Sequence, residues 1–343
     1  MKALVYQNAH AIEQFAMAVA ELPDPELRPT DILVEVKAIG INPGEAVFRA
    51  TKSAEPGGRV LLGLEFSGVV KSLGSSATGF NVGDRVYGTG DMLRDGAWAE
   101  LVAIDHRLVA RIPDNLSFAD AGSLPIGSLT AWEAMFREED LLPEPVESVL
   151  VVGGAGAVGS MTIQLLKART GAKVIATASR GETRKWCVAM GADLVVDHAG
   201  DVPAQLKDAG IGTVDMVLST RSTGEHLGWI ATVLRPFGHL SAPDVTGLTD
   251  LGPLFFKSIS IHTEVVFAKG LNGYRVESQS EILRAVAKLA ADAKIRPITN
   301  RLLHGLDAAN MKIAHELLES GRTIGKVVIE FSPGKAPLRR NRR

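Results

Sequence analysis

Short apolar runs, partly alternating with polar residues, fill about the first 122 residues of the chain. They include 32–36, 66–70, 84–88 and 98–102. Proline, glycine and asparagine residues lie between these runs. Strand-length runs separated by turn residues predict a small β-rich domain.

The pattern changes after about residue 122, where apolar runs begin to alternate with segments of helix length. A helix is predicted over 128–137. The strands predicted after it are 149–152, 173–177, 194–196, 214–218 and 238–242, with helices ending near 168 and 190, around 204 and over 227–234. This rhythm predicts a parallel sheet that is covered by helices on both faces, with right-handed connections.

The alternation stops after about residue 265. Amphipathic helices are predicted over 278–293 and 308–320, and a last strand over 326–331. We expect this part to rejoin the first domain. The predicted fold class is therefore α/β, with a doubly wound parallel sheet inserted in a β-rich domain, and the predicted boundaries are 1–122, 123–265 and 266–343.

A glycine-rich segment follows the first strand of the predicted parallel sheet. Gly154, Gly156 and Gly159 fit G-x-G-x-x-G. In that motif the first glycine permits a tight turn, the second lets a pyrophosphate approach the backbone, and the third allows close helix packing. The helix N-terminus that follows attracts phosphate. The motif predicts a Rossmann dinucleotide site formed by Gly154, Ala155, Gly156, Ala157, Val158 and Gly159; the alternative is a loop that serves packing only.

The end of the second strand of this sheet bears on the choice between NAD and NADP. NAD sites usually carry an acid there, which binds the ribose 2′-hydroxyl. Here the strand is followed by Ala178, Ser179 and Arg180. Ser179 and Arg180 suit a 2′-phosphate, and Arg184 adds positive charge one helical turn later. We predict NADPH as the cofactor, with a solvated basic helix start as the alternative.

Composition and charge exclude several classes of protein. The net charge is −2 and hydrophobic residues make up 46%, so neither nucleic acid nor a membrane is an expected partner. The basic cluster within 339–343 is expected to be a frayed end. The single cysteine, Cys187, excludes an internal disulfide and indicates a reducing, cytoplasmic compartment.

The metal-ligating residue types are scarce. One cysteine cannot build a structural zinc lobe, which needs four, and the eight histidines show no metal spacing. We therefore expect hydride transfer without a metal. Quinones and conjugated enones are acceptors that need little activation.

Several further segments accompany the glycine motif: 40–43, 62–70, 82–88, 96–100, 128–132, 176–180, 191–193 and 321–326. Together with that motif they resemble the medium-chain dehydrogenase/reductase superfamily, in its zinc-free quinone oxidoreductase-like branch. The resemblance implies a GroES-like catalytic domain, a Rossmann domain, an active site in the cleft between them, and a homodimer formed through the Rossmann sheet edge near 258–263. Zinc-dependent relatives place a ligand cysteine where this chain has Asn42-Pro43-Gly44, and Gly-His-Glu where it has Gly63-Leu64-Glu65.

The resemblance also implies roles for individual residues. Asn42 would line the nicotinamide pocket and Thr130 would touch the cofactor, with an ordinary helix residue as the alternative for Thr130. Some relatives carry a tyrosine proton donor a few residues after that asparagine, where this chain has Val47 and Phe48. The nearest polar group is Glu45, expected as a solvated or capping carboxylate, and solvent is then expected to protonate the product.

Further cofactor contacts are expected where strands of the Rossmann sheet end, and from the returning C-terminal segment. For His198 and Lys326, an exposed surface position is an equal alternative. The predicted contacts are His198, Ser219, Thr220, Val266 and Lys326.

These observations predict an NADPH-dependent, zinc-independent reductase that passes hydride to a quinone or an α,β-unsaturated carbonyl. One alternative is an enoyl-thioester reductase, which the missing tyrosine disfavours. Another is an NADPH-binding protein with a structural or regulatory role and little turnover.

Overall fold

A computed structural model describes residues 1–137, 142–143 and 146–331. The basic cluster within 339–343 lies outside these residues. Among the helices that the structure describes, none is long and apolar enough to cross a membrane.

The described part of the chain alternates strands and helices. The strands are β1 (Lys2–Val5), β2 (Ala18–Glu21), β3 (Asp31–Ile41), β4 (Glu65–Leu73), β5 (Arg85–Thr89), β6 (Leu101–Asp105), β7 (Val109–Arg111), β8 (Ser148–Val152), β9 (Lys173–Thr177), β10 (Leu194–Val196), β11 (Val214–Ser219), β12 (Leu234–Ala242), β13 (Ser260–Thr263), β14 (Thr299–His304) and β15 (Lys326–Glu330). The helices are α1 (Pro43–Thr51), α2 (Phe118–Ala121), α3 (Pro125–Phe136), α4 (Ala157–Arg169), α5 (Gly181–Met190), α6 (Val202–Asp208), α7 (Thr223–Val233), α8 (Gly252–Phe255), α9 (Ala268–Asn272), α10 (Glu277–Ala291) and α11 (Ala308–Glu319).

A six-stranded sheet has the order β10-β9-β8-β11-β12-β13, and every neighbouring pair in it is parallel. Successive residues of its strands enter different cores. Val149 and Val151 pack with residues of α3 and α4, whereas Leu150 and Val152 pack with residues of α6 and α7. Both faces are therefore covered, which explains the continuous apolar runs of these strands.

A seven-stranded sheet forms the second unit, in the order β14-β15-β3-β4-β5-β7, with β6 also paired to β3. Its members β14 and β15 come from the C-terminal part of the chain, and β15 runs antiparallel to β3. The chain thus leaves this sheet, forms the parallel sheet and returns. The predicted fold class, a doubly wound parallel sheet inserted in a β-rich domain, is confirmed.

The predicted domain boundaries stay predictions. Helices α3 and α10 belong to a core that both units share, so the packing itself does not divide the chain at one residue. Leu129 of α3 and Leu283 of α10 lie in one apolar cluster with Tyr87 of β5 and Val151 of β8. The Tyr87 hydroxyl also donates a hydrogen bond to the Leu283 carbonyl at 2.6 Å. This shared packing holds the two sheets against each other.

Several element predictions differ from the structure in detail. Helix α3 begins at Pro125, three residues before the predicted start, since proline at the first position fits a helix N-terminus. Helix α7 begins at Thr223 rather than 227, because Gly224 near its start hides the helical pattern. Strand β14 was not predicted, since of its side chains only Leu303 is buried and the alternation is weak.

Candidate active site in the cleft

A cavity of about 670 Å³ lies where the carboxyl ends of the parallel strands face the seven-stranded sheet. The structure brings together on its wall ten of the predicted site residues: Asn42, Ala155, Gly156, Ala157, Val158, Ser179, Arg180, His198, Thr220 and Lys326. Six others lie outside the lining: Thr130, Gly154, Gly159, Arg184, Ser219 and Val266. Ligands of open α/β sheets bind at this edge.

The glycine loop between β8 and α4 forms one wall. The left-handed conformation of the turn is at Gly153, with a φ of +77°, whereas the motif predicted that Gly154 permits the tight turn. Gly154 is required for packing instead, because a Cβ there would lie 2.8 Å from the Ala176 Cβ. A Cβ at Gly159 would lie 2.3 Å from the Gly153 carbonyl oxygen, in line with the predicted close packing.

Gly156 faces open space at the start of α4. A Cβ there would meet only the Gly153 carbonyl oxygen, at 3.5 Å. In the described part of the chain, no side-chain cap hydrogen bond is made at the α4 N-terminus. The first-turn N–H groups are therefore available to an anionic ligand that approaches the bare backbone.

The C-terminal segment closes this wall. The Gly325 N–H donates a hydrogen bond to the Ala155 carbonyl at 2.8 Å. Gly325 has a φ of +57°, and a Cβ there would lie 2.3 Å from the Ile298 carbonyl oxygen. Only glycine suits this crossing, which brings Arg322 and Lys326 to the cavity.

Of the described residues that line the cavity, the charged ones are all basic: Arg180, Arg221, Arg322 and Lys326. The Arg180 guanidinium donates to the Arg322 carbonyl at 2.8 Å. Sequence reasoning did not assign Arg221 and Arg322. Arg221 follows the end of β11, and Arg322 stands inside the 321–326 segment that carries part of the family resemblance, so both positions carried a usable signal.

Arg184 is engaged elsewhere. Its guanidinium donates to the Val195 carbonyl at 2.9 Å and to the Ala178 carbonyl at 3.3 Å, and it does not line the cavity. These bonds tie α5 to the ends of β9 and β10. The structure therefore gives Arg184 a structural position, and its predicted cofactor contact stays untested.

His198 and His226 lie together on the cavity wall. Burial lowers the pKa of His198, and the nearby His226 lowers it further. The neutral imidazole of His198 is thus favoured, and a flat neutral ring suits an adenine base. Sequence reasoning missed His226, which stands in α7 beside Trp229 at a ring distance of 5.4 Å.

Four remaining predicted residues support the wall or lie beneath it. Thr220 lines the cavity and donates to the Val152 carbonyl at 2.8 Å. Ser219 is fully buried, and its hydroxyl accepts from Thr223 at 2.9 Å. Thr130 is buried within α3, and Val266 is buried while its neighbour Phe267 lines the cavity.

A buried polar cluster of Asn42, Glu45, Glu65 and Lys326 lies beside the cavity. Lys326 donates to Asn42 Oδ1 at 2.6 Å and forms an ion pair with Glu65. Asn42 Nδ2 donates to Glu65 Oε1 at 3.2 Å. The second oxygen of Glu65 accepts from the Ile126 N–H at 2.8 Å, at the start of α3. Two positions were expected for Lys326, one in the cleft and one on the exposed surface. The structure places it in the cleft.

Glu45 caps helix α1 from inside the protein. Its Oε2 accepts from the Asn42 N–H at 2.7 Å and its Oε1 from the Leu64 N–H at 2.8 Å. Its side chain is fully buried, so of the two expected roles the structure shows the capping one. Burial raises the pKa of Glu45 to about 7, and the nearby charge of Glu65 also raises it.

These residues do not fit a zinc ion. Asn42 and Leu64 stand where zinc-dependent relatives were expected to place ligands, and the Lys326 ammonium adjoins Asn42. Cys187 is buried beneath the glycine loop, near Gly154. Within 1–137, 142–143 and 146–331, no group of three histidine, cysteine or acidic residues is arranged to hold a metal.

Glu65 had no assigned role in the sequence, although its position offered a signal. It is the one charged residue inside a largely apolar run, 62–70, which indicates a buried charge with a partner. The partner, Lys326, is 261 positions away. No local pattern could pair the two.

Two family models match the chain. Residues 28–114 match the alcohol dehydrogenase GroES-like domain. Residues 190–329 match the zinc-binding dehydrogenases. The first lies within the seven-stranded unit, and the second runs from the parallel sheet into β15.

Several curated relatives match over nearly the whole chain. A zinc-type alcohol dehydrogenase-like protein of Staphylococcus aureus (strain MSSA476) is 34% identical, covering 96% of this chain and 100% of the relative. The 2-methylene-furan-3-one reductase of Solanum lycopersicum is 30% identical, covering 97% of this chain and 80% of the relative.

Solved structures agree with the fold. A protein of Rhizobium etli CFN 42, named as a candidate zinc-dependent alcohol dehydrogenase, is 37% identical with a TM-score of 0.92, covering 96% of this chain and 98% of that one. The quinone oxidoreductase of Coxiella burnetii is 27% identical with a TM-score of 0.78, covering 96% and 99%.

Proposed function

The chain belongs to the medium-chain dehydrogenase/reductase superfamily, in its quinone oxidoreductase-like branch, and from this premise we propose that it is an NADPH-dependent, zinc-independent reductase. The proposed acceptor is a quinone or an α,β-unsaturated carbonyl. NADPH supplies the hydride when it is bound. The protein supplies binding, orientation and a water-poor site.

The charge of the cavity wall carries the choice of NADPH. The lining holds four basic residues and, among the described residues, no aspartate or glutamate. An acid would favour the free 2′-hydroxyl of NADH, whereas guanidinium groups favour the 2′-phosphate of NADPH. Ser179 and Arg180 would hold that phosphate, and the N–H groups of Ala157 and Val158 would hold the diphosphate.

Apolar side chains support an uncharged acceptor. Ile41, Leu64, Ile126 and Phe267 line the cavity near Asn42. The names of the tomato and Coxiella relatives record an enone-type and a quinone acceptor for those proteins. A single cysteine leaves this fold independent of disulfides, which supports a cytoplasmic location as part of the proposal.

The test compares NADPH and NADH as donors in steady-state turnover with para-benzoquinone, methyl vinyl ketone and an enoyl-CoA. Wild type is expected to prefer NADPH. Arg180→Gln should lower kcat/KM for NADPH about 10- to 100-fold, since a charge-assisted contact contributes about 1.5–3 kcal/mol. The value for NADH should change less than about twofold.

Arg184→Gln is the matched control, because its guanidinium binds the carbonyls of Ala178 and Val195. It should lower the melting temperature while preserving the preference for NADPH. Wild-type preference for NADH would refute the Arg180 assignment, and loss of activity on chelation would refute zinc independence. Activity on enoyl-CoA alone would favour a thioester reductase, and NADPH binding without turnover would favour a regulatory role.

A further inference from the structure

Lys326 presents a buried ammonium to the cavity. It lines the wall, and only 2% of the residue is exposed. An ammonium has three N–H donors. Two are taken, by Asn42 Oδ1 and by Glu65 Oε1. In the part of the chain that the structure describes, the third N–H has no acceptor.

The surroundings hold this ammonium rigidly. Lys326 is the first residue of β15, and its backbone N–H donates to the Ile298 carbonyl at 2.8 Å. Glu65 is itself fixed by the Ile126 N–H and by Asn42 Nδ2. The charge of Glu65 offsets that of Lys326, so the burial of both is compensated.

The neighbourhood makes the remaining donor strong. Ile41, Leu64, Ile126 and Phe267 line the same cavity and limit water around a bound acceptor. A fixed donor in a low-dielectric site stabilises a developing oxyanion far better than water does. An uncharged acceptor with a carbonyl oxygen could accept a hydrogen bond from the third N–H of the Lys326 ammonium.

We propose that Lys326 is a catalytic residue that donates its third N–H to the carbonyl or quinone oxygen of the acceptor. This inference rests on the proposed reductase function and adds the proton donor that sequence reasoning left to solvent. Asn42 and Glu65 are positioning residues, which aim the ammonium through their contacts with it.

The step balances in atoms and electrons. In an enone, hydride adds to the β-carbon, the π electrons shift toward the carbonyl oxygen, and that oxygen takes a proton from Lys326. The N–H bonding pair stays on nitrogen, and the amine regains a proton from water when the product leaves. In a quinone, the same proton neutralises the hydroquinone anion.

The two acceptor classes need this donor to different extents. An enolate is a stronger base than a hydroquinone anion, so the reduction of an enone depends more on proton donation. General acid catalysis contributes about 10²- to 10⁴-fold. Loss of Lys326 should therefore slow the reduction of enones more than the reduction of quinones. The presence of Lys326 thus suits the enzyme to enones as acceptors.

The experiment uses Lys326→Met and the double variant Lys326→Met with Glu65→Gln. The single variant leaves a buried carboxylate without its partner, which destabilises the fold, whereas the double variant removes both charges. In the double variant, which keeps its fold, kcat should fall about 100-fold with methyl vinyl ketone and less than about 10-fold with para-benzoquinone. Lys288→Met, at an exposed position on α10, should match wild type.

NADPH affinity separates this role from cofactor binding. The dissociation constant, measured by fluorescence titration, should stay within about twofold of wild type in the double variant. A large rise in that constant with unchanged kcat would overturn the proposal, because it would make Lys326 a cofactor ligand. Unchanged turnover of the enone would overturn it as well.

A second readout does not depend on turnover. Para-nitrophenol carries an ionisable oxygen, and its phenolate is yellow. With NADP⁺ present, wild type should bind the phenolate and lower the apparent pKa of the dye, whereas the double variant should not. Equal dye pKa values in the two proteins would overturn the proposal. Failure of wild type to oxidise NADPH with any acceptor would instead refute the proposed function.

Discussion

At the scale of single residues, Glu45 couples the protonation of one buried side chain to the stability of the fold. Its carboxylate accepts two backbone N–H bonds, which favour the charged form. Burial outweighs these bonds and raises the pKa from 4.5 to about 7. The folded state therefore binds this proton more tightly than the unfolded chain does.

A pH dependence of stability follows from that shift. Because the folded pKa is the higher one, the stabilisation from this group is present below pH 4.5 and is lost as the pH rises through about 7. The wild-type free energy of unfolding should fall between pH 5 and 8 by about 2 kcal/mol more than that of Glu45→Gln. Urea denaturation across this range measures both.

The comparison isolates Glu45, since every other titrating group is common to the two proteins. Glu264, whose pKa burial also raises, is one such group. Equal slopes of stability against pH in the two proteins would contradict the prediction.

At the scale of elements, the turn from β8 into α4 separates two uses of glycine. At Gly159 a methyl group would collide with the Gly153 carbonyl oxygen. At Gly156 the φ is −73° and a methyl group would make only an ordinary contact. One glycine thus serves packing within the protein, and the other leaves room for a ligand.

Alanine substitutions should distinguish the two positions. Gly159→Ala should lower the free energy of unfolding by about 1–3 kcal/mol, because the helix must move off the loop. Gly156→Ala should melt within a few degrees of wild type but bind NADPH at least about 10-fold more weakly, because its methyl group blocks the diphosphate. Thermal melts with and without NADPH measure both effects.

The contrast between these variants contains its own control. Undiminished NADPH affinity in Gly156→Ala would show that no ligand approaches the backbone there. Unchanged stability of Gly159→Ala would show that the loop and α4 pack less tightly than the distances imply.

At the scale of the whole molecule, the β13 edge of the parallel sheet is open. Strand β13 pairs with β12 on one side and has no partner strand on the other in the described chain. Phe255 and Phe256, just before it, are 75% and 92% exposed. An open edge beside exposed aromatic residues favours pairing with a second copy, which the family resemblance implies near 258–263.

We expect light scattering after size exclusion to give the mass of two chains. Ile261→Lys, at the edge strand itself, should shift the protein toward one chain, because a lysine there opposes strand pairing. Val82→Asp is the matched control, since Val82 is an exposed apolar residue in the turn between β4 and β5, away from the parallel sheet. A wild-type monomer, or a dimer that Ile261→Lys leaves intact, would contradict this interface.

Much of the architecture was predictable because its causes are local. The apolar runs at 149–152 and 173–177, and the glycines between strand and helix, depend on neighbouring residues alone. The cavity-lining position of Arg180 also followed from a motif of fixed spacing. The position of Arg184, one turn later, did not follow from the motif. The direction of its side chain depends on the Ala178 and Val195 carbonyls, at the ends of two different strands.

By itself, the sequence determined the order of elements, the Rossmann-type glycine turn and the absence of zinc-ligand residues at the expected positions, since each depends on residue type and short spacing. Tertiary structure alone decided that Lys326 meets Asn42 and Glu65. Lys326 comes from β15, Asn42 from the start of α1 and Glu65 from β4. The physical reason is that buried charges must find partners. The partners are brought together by the packing of distant strands, whose geometry no local pattern contains.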